Sequence, residues 1–160
     1  MTRRLAAHGL SVELARGWDA RIFMRAESDA TAPASDVPMS GWTMPVLHVA
    51  DFSLPEQRGD YGSGAVQTMG PGNVFVALVE FGTESVGQPM FRIGRPRVRA
   101  SAFHPQAMQR PVPGAAGMQR FFTEAGRAFC LYAVIGSHAR RTALAARLGT
   151  AVARIDITAR

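Results

Sequence analysis

The most constraining feature of the chain is a nine-residue run in which apolar side chains occupy nearly every position. The run covers residues 73–81 and reads NVFVALVEF. Successive side chains of a strand point to opposite faces of its sheet, so a strand that is apolar at both sets of positions is covered on both faces. The sequence therefore predicts a central strand here, buried under other parts of the chain on each side.

A second strong signal lies near the C-terminus. Residues 117–124 and 128–135 have the composition of two strands, and the turn between them contains Gly126, which tolerates a positive φ. These segments predict a β-hairpin. Gly136 then interrupts the second strand, and Ser137 stands where it could cap a helix running from His138 to about Ile155.

The predicted C-terminal helix is amphipathic, because its large apolar residues recur at helical spacing on one stripe. This stripe contains Leu144, Leu148, Val152 and Ile155. The opposite side is small and uncharged, and could pack closely on another backbone within the fold or in a dimer, although an alanine-rich composition is the simpler explanation. Its members are Thr142, Ala145, Ala146, Gly149 and Ala153.

The first half of the chain is predicted to contain three strands. Leu10, Val12 and Leu14 alternate with more polar residues, and residues 20–25 form a second candidate, so the two together suggest an N-terminal hairpin. Residues 44–50 are the third. The small and polar residues 26–40 between them lack periodicity and are predicted to be a loop.

The remaining segments are predicted to be mostly irregular. Residues 55–64 form a polar, glycine-rich loop and residues 65–69 a short helical turn. Within residues 83–116, the stretch FRIGRPRVR (91–99) is predicted to be an edge strand or irregular loop, because Gly94 and Pro96 interrupt its alternation, and a short helix is predicted near residues 106–108. No strand–helix–strand alternation occurs. The chain is therefore predicted to be a single α+β domain over residues 1–160, with a mainly antiparallel sheet flanked by helices.

Composition narrows the class of protein. The 160 residues are 47% hydrophobic and 19% charged, which is typical of a globular domain, and a single cysteine cannot form an internal disulfide. The apolar run behind the N-terminal arginines is shorter than a signal sequence needs, and no run approaches the ~20 apolar residues of a membrane span. We therefore expect a cytoplasmic protein with no membrane partner.

The basic residues are unusual in being all arginine, and they give a net charge of +6. Residues 61–160 carry twelve arginines against four acidic residues, whereas residues 1–60 carry six against eight. The basic part could attract anions. The codon usage of a GC-rich genome is the alternative explanation.

Motifs for catalysis and metal binding are absent. Cys130 lies about 16 Å before the end of its predicted strand and His138 beyond that end, whereas a nucleophile and its base must approach to roughly 3 Å. Cys130 is therefore expected to be a buried apolar residue. His48 and Asp51 fall on opposite faces of a strand, and scattered histidines with one cysteine lack zinc-ligand spacing. We expect neither a metal nor a cofactor, and the glycine clusters at 59–64 and 70–72 are expected to be turns.

Two sets of residues remain as candidate sites. The loops at 55–64 and 101–116 could converge on a pocket, and an arginine-rich stretch could contact a phosphate backbone or simply protect an edge strand from aggregation. The pocket set comprises Asp60, Tyr61, His104 and Arg110. The anion-binding set comprises Arg92, Arg95, Arg97 and Arg99.

The order of elements resembles a known architecture. A strand leads to Gly17-Trp18, NVFVALVEF follows centrally, and the late hairpin QRFFTEAGRAFCLYAVIG feeds a helix and a short apolar tail, Ile155-Asp156-Ile157. This layout resembles the PsbP-like α/β/α sandwich, an antiparallel sheet flanked by helices. The chain lacks the signal or lipoprotein cysteine of many exported members. It is also similar to actinobacterial hypothetical proteins, which imply no activity.

Three functions follow from these observations. The resemblance implies a binding or assembly role, since the members of that family are mostly not enzymes. The leading hypothesis is therefore a non-enzymatic domain that binds a protein partner or a second copy of itself. The alternative is a small-molecule-binding protein or enzyme with a loop-built pocket. The third is nucleic-acid or anion binding through the arginine stretch.

Overall fold

The computed structural model describes residues 2–25 and 44–160, so the loop predicted at 26–40 lies outside the described residues. Within them the chain forms nine strands and one α-helix. The strands are β1 (Arg3–Ala7), β2 (Leu10–Leu14), β3 (Asp19–Met24), β4 (Pro45–Ala50), β5 (Val74–Phe81), β6 (Arg92–Ile93), β7 (Ala116–Glu124), β8 (Arg127–Ile135) and β9 (Ile155–Ile157). The helix is α1 (Arg141–Ala153), and 3₁₀ turns occur at Val66–Thr68, Thr83–Ser85, Ala100–Ala102 and Pro105–Ala107.

Six strands form the main sheet, in the order β3-β4-β5-β8-β7-β6. Every neighbouring pair is antiparallel except β6 and β7, which are parallel. Strands β5 and β8 lie at the centre, and their side chains are buried on both faces of the sheet. The predicted central strand at 73–81, the hairpin at 117–135 and the mainly antiparallel α+β class are all confirmed.

The remaining three strands form a small antiparallel sheet in the order β1-β2-β9. The predicted N-terminal hairpin is therefore wrong in its pairing, although both of its strands exist. Strand β2 pairs with β1 through a turn in which His8 and Gly9 have φ of 52° and 74°, and β3 pairs with β4 in the other sheet. Two consecutive positive φ values are typical of a tight type I′ hairpin turn. A histidine in that turn gives no sequence signal for it.

The two faces of the main sheet are covered differently. On one face, the helix and the small sheet pack on the strands, and Leu144 and Leu148 join Leu10, Leu47 and Leu131 in one buried cluster. On the other face, the loops around residues 51–72 and 108–115 cover a second cluster. The members of that cluster include Phe75, Cys130 and Tyr132 from the sheet, with Val66 and Met108 from the loops.

The helix begins three residues later than predicted and ends two residues earlier. Arg140 occupies the N-cap position without a side-chain bond, and Ser137 only accepts a backbone bond from Arg140 in the preceding turn. Ser137 is therefore not the predicted cap. Ile155 belongs to β9, where its pairing with Val12 extends the backbone. The apolar stripe is nevertheless buried, as predicted, at Leu144, Leu148 and Val152.

The side of the helix that carries small residues is partly used inside the fold. Ala145 is buried in the core, and Gly149 lies close to Val98, whose side chain would be 3.7 Å from an added Cβ. The segment around residues 98–102 therefore packs against this flank. Thr142, Ala146 and Ala153 are exposed.

A buried ion pair joins the two sheets. The guanidinium of Arg127 donates to the Glu80 carboxylate at 2.9 and 2.6 Å, and both residues are almost completely buried. Its other N–H groups donate to the carbonyls of His8, Gly9 and Thr158. All five donors of the guanidinium are thus satisfied, and the side chain fixes the small sheet to the end of the main sheet.

Candidate functional site

The loop-covered face of the main sheet contains a cavity of about 260 Å³. It lies between the loop at 60–67 and the loop at 109–110, and β8 contributes one wall. The lining residues are Asp60, Tyr61, Ser63, Val66, Gln67, Gln109, Arg110 and Tyr132. Because both loops cross the same buried strands, residues about fifty positions apart in sequence meet around one opening.

A buried histidine on β4 holds the first of these loops. His48 Nε2 lies 2.8 Å from the carbonyl oxygen of Asp60, and His48 Nδ1 accepts a hydrogen bond from Arg58 Nε at 3.1 Å. Since Nδ1 accepts, the proton must sit on Nε2, which donates to the carbonyl. Burial lowers the pKa of His48 to about 4, and the charge of Arg58 adds to this effect. The imidazole is therefore neutral at physiological pH and serves as an anchor.

The glycine cluster at 59–64 is a turn, as the sequence predicts. Gly62 has φ of 82°, and a Cβ there would lie 2.3 Å from the ring of Phe75. Only glycine combines this backbone conformation with so close an approach to the sheet. The turn places Tyr61 and Ser63 at the cavity.

Two tyrosines form the aromatic part of the cavity wall. The rings of Tyr61 and Tyr132 meet edge to face, with centroids 5.7 Å apart. The hydroxyl of Tyr132 accepts a hydrogen bond from the backbone N–H of Gln109 at 2.8 Å, which fixes the second loop to the sheet. Burial raises the pKa of both tyrosines. Their hydroxyls therefore remain protonated at neutral pH, and the half-buried Tyr61 is the more accessible of the two, since Tyr132 is almost completely buried.

The two charged residues of the cavity differ in their surroundings. A carboxylate oxygen of Asp60 lies 2.7 Å from Arg25 Nε, and the guanidinium of Arg25 stacks over Phe81. Asp60 thus has Arg25 as its ion-pair partner. Arg110 is exposed, and it forms no ion pair among residues 2–25 and 44–160. Its guanidinium is the charge that the cavity offers to a ligand.

The single cysteine lies below the cavity in the middle of β8. Cys130 is completely buried, as predicted, and its thiol contacts the side chains of Gln119 and Tyr61. Burial raises the pKa of the thiol to about 11, so it is protonated at neutral pH. His138 lies in the loop that precedes the helix, where its backbone N–H donates to the carbonyl of Gly114. The arrangement has none of the features of a cysteine nucleophile.

The structure brings together three of the four residues proposed for the pocket. Asp60, Tyr61 and Arg110 line the cavity, whereas His104 does not. The backbone of His104 forms an isolated bridge with Gly117, and its side chain is exposed. Sequence reasoning missed Tyr132, because an aromatic residue within an apolar strand looks like an ordinary core residue.

The four arginines of the arginine-rich stretch differ in their surroundings. Arg95 donates to the Glu124 carboxylate and to the carbonyls of Val152 and Ile155, so it closes the C-terminal end of the helix. The other three members, Arg92, Arg97 and Arg99, are exposed. Of the two alternatives predicted for residues 91–99, an edge strand is present only at Arg92 and Ile93, which form β6, and residues 95–99 are irregular.

Asp51 also has a structural role. One of its oxygens accepts bonds from the backbone N–H of Val74 and the side chain of Asn73, and the other pairs with Arg147 at 2.8 Å.

In the described ranges, no three His, Cys, Asp or Glu side chains are grouped so that they could hold a metal ion. Nor does any described helix have the length and apolar character needed to cross a membrane.

Comparisons of the chain with family models, with curated proteins and with solved structures gave no match. The resemblance to the PsbP-like sandwich therefore stays a prediction from the order of elements.

Proposed function

We propose that the protein binds a small organic ligand in the cavity between residues 60–67 and 109–110. The observation that supports this proposal best is the convergence of two distant loops around a concave opening with aromatic walls. Binding sites for small molecules are typically concave and mostly apolar, with a few well-placed polar groups. Here Tyr61, backed by the buried Tyr132, supplies aromatic surface, and Arg110 supplies a positive charge. Ser63, Gln67 and Gln109 add further polar groups.

The size and chemistry of the cavity favour a particular class of ligand. Its volume of about 260 Å³ is slightly below the ~300–1,000 Å³ of sites for drug-sized molecules, so a single-ring compound suits it best. The edge-to-face tyrosines can pack against such a ring. An exposed guanidinium pairs well with a carboxylate, which it can hold through two parallel hydrogen bonds. We therefore propose a single-ring aromatic carboxylate.

Several titratable groups near the cavity are in unreactive forms. The imidazole of His48 is neutral with both nitrogens occupied, and the thiol of Cys130 is protonated. The hydroxyls of Tyr61 and Tyr132 are protonated as well. These states suit the recognition of a ligand better than its chemical conversion, so we propose binding without catalysis.

Binding of a protein partner, the leading hypothesis from the sequence, receives less support. It depended partly on the small-residue side of α1, where Ala145 is buried and Gly149 packs beside Val98. Exposed large apolar side chains in the described ranges are limited to Met24, Met90 and Ile93. Protein binding and nucleic-acid binding remain predictions, whereas the cavity offers specific chemistry for a ligand.

A titration monitored by two-dimensional amide NMR tests the proposal. Benzoate and 4-hydroxybenzoate are the probes, and we expect saturable shifts in the backbone signals of residues 60–67 and 109–110. Arg110→Gln should weaken binding by about tenfold or more, because a charge-assisted hydrogen bond contributes ~1.5–3 kcal/mol. Arg97→Gln is the matched control, since Arg97 is exposed and does not line the cavity. If neither probe gives saturable shifts, or if both variants bind alike, the proposed site is wrong.

A further inference from the structure

A second cavity lies on the opposite face of the main sheet, in the gap between β2 and the helix. Its volume is about 200 Å³. Strand β4 of the main sheet forms its floor through Val49, and the segment after β2 closes one end with Trp18. Because β2 and α1 pack side by side on the sheet without filling the gap between them, an opening to the surface remains.

The floor of this cavity is apolar. Val12, Leu14, Val49 and Ala151 are buried, and Trp18 is half-buried beside them. An engineered apolar cavity of roughly 150 Å³ is known to admit benzene. A cavity of about 200 Å³ can therefore hold a single ring or a branched alkyl group.

The rim carries two charges of opposite sign. The backbone N–H of Glu13 donates to the carbonyl of Arg154 at 3.3 Å, which continues the pairing between Val12 and Ile155 by one residue. Glu13 and Arg154 both line the edge of the cavity, and both are exposed.

Neither of these two side chains forms an ion pair within the described part of the chain. The third charged residue of the rim, Arg147, is already engaged by the Asp51 carboxylate at 2.8 Å and the Gly72 carbonyl at 2.7 Å. The cavity thus offers one carboxylate and one guanidinium above an apolar floor.

We propose that this second cavity binds a free α-amino acid with an apolar side chain. Its carboxylate would pair with Arg154 and its ammonium group with Glu13, while the side chain fills the apolar floor beside Trp18. A simple organic acid would pair with Arg154 but would be repelled by Glu13. A simple amine would pair with Glu13 but would be repelled by Arg154. Only a zwitterion with an apolar body matches both charges and the floor. The site is independent of the cavity at residues 60–67 and 109–110.

The test uses the indole N–H signal of Trp18 in an amide NMR titration. The chain has two tryptophans, Trp18 and Trp42, so a Trp18→Phe variant assigns the signal. We expect L-phenylalanine and L-leucine to shift it saturably. Phenylacetate lacks the ammonium group and 2-phenylethylamine lacks the carboxylate, and each should bind about tenfold more weakly or worse. Equal binding of phenylalanine and phenylacetate would overturn the zwitterion proposal.

Two variants test the charges separately. Glu13→Gln and Arg154→Gln should each weaken binding of phenylalanine by about tenfold, and both positions are exposed, so the fold should persist. Unchanged affinity in both variants would show that the two side chains do not contact the amino acid. Shifts confined to residues 60–67 and 109–110 would place the amino acid in the first cavity and would likewise overturn the proposal.

Discussion

Acidification should destabilise the protein through His48. This histidine is completely buried in its neutral form, and burial lowers its pKa to about 4 from the ordinary value of 6.5. The unfolded chain takes up a proton at this position below about pH 6.5, whereas the native protein does not until the pH approaches 4. Because the pKa is lower in the folded state, the stability linked to His48 is complete above pH 6.5 and declines as the pH falls toward 4.

The size of this loss follows from the two pKa values. One unit of pKa difference corresponds to about 1.4 kcal/mol. A pH of 5 is about 1.5 units below the pKa of the imidazole in the unfolded chain, so the free energy of unfolding should be about 2 kcal/mol lower there than at pH 7. By pH 4 the loss should approach about 3 kcal/mol.

Urea denaturation at pH 7, 6 and 5 measures this loss in the wild type and in His48→Gln. The variant should be less stable at pH 7, since a glutamine side chain at this position would not reproduce both hydrogen bonds, but its stability should change little between pH 7 and 5. Asp19 does not titrate between pH 7 and 5. Burial opposes the ionisation of its carboxyl, but hydrogen bonds from Leu54 and Arg21 lower its pKa below the ordinary value of 3.8. Its contribution to the free energy of unfolding is therefore lost only at a lower pH. His104→Gln, at an exposed position, is the control. A variant as sensitive to pH as the wild type would refute the assignment to His48.

Three further experiments, one on the wild type and two on variants, have results that the structure predicts. Cys130, buried with a pKa of about 11, should react with a thiol reagent only after unfolding, and rapid labelling of the native protein would contradict this. Glu80→Gln leaves the buried Arg127 without a full counter-charge and should lower the free energy of unfolding by about 3–5 kcal/mol in urea titrations; a loss below about 1 kcal/mol would be inconsistent with that role. Arg95→Ala should lower the melting temperature, because its bonds to Glu124 and the end of the helix disappear, whereas Arg97→Ala should leave it nearly unchanged.

The parts of the fold that the sequence predicts well have a local periodic pattern. The apolar run of β5 and the β7–β8 hairpin can be located because strand alternation and turn residues occur within a few positions of each other. The buried stripe at Leu144, Leu148 and Val152 is visible for the same reason. In each case the residues that determine the element belong to the element itself.

Pairing between distant segments is harder to predict. Strand β2 looks like the first half of a hairpin with β3, yet its partners are β1 and the C-terminal β9. The pairing with β1 is local and uses the tight turn at His8 and Gly9, whereas the pairing with β9 joins segments from the two ends of the chain, and no local pattern indicates it. The reason for a glycine at position 136 is equally hard to predict from the sequence. The sequence indicates only a strand break there, whereas in the fold a Cβ at this position would lie 2.0 Å from the carbonyl oxygen of Gly70.

Part of the candidate site can be predicted from the sequence, because its residues lie in loops of recognisable composition. Loops rich in polar residues are natural places for binding groups, and Asp60, Tyr61 and Arg110 can be selected from them without any structure. His104 is indistinguishable from these three by residue type, but its backbone pairs with Gly117 and leaves its side chain outside the cavity. The role of His48 escapes sequence reasoning because it depends on a hydrogen bond to a carbonyl twelve residues away.

Several of the arginines, which are the only basic residues besides histidine, have a structural role that depends on the shape of the guanidinium group. Arg127, Arg95 and Arg147 each bond a carboxylate and at least one backbone carbonyl at the same time. The planar guanidinium has five donors in a fixed fork, whereas a lysine ammonium is a compact point charge with three. One side chain can therefore join elements that approach from different directions, as Arg127 does for the two sheets. Arginines engaged in this way already have carboxylate and carbonyl partners within the fold, whereas the exposed Arg110 and Arg154 at the two cavities form no ion pair within the described residues and are better placed to meet anionic groups of a ligand.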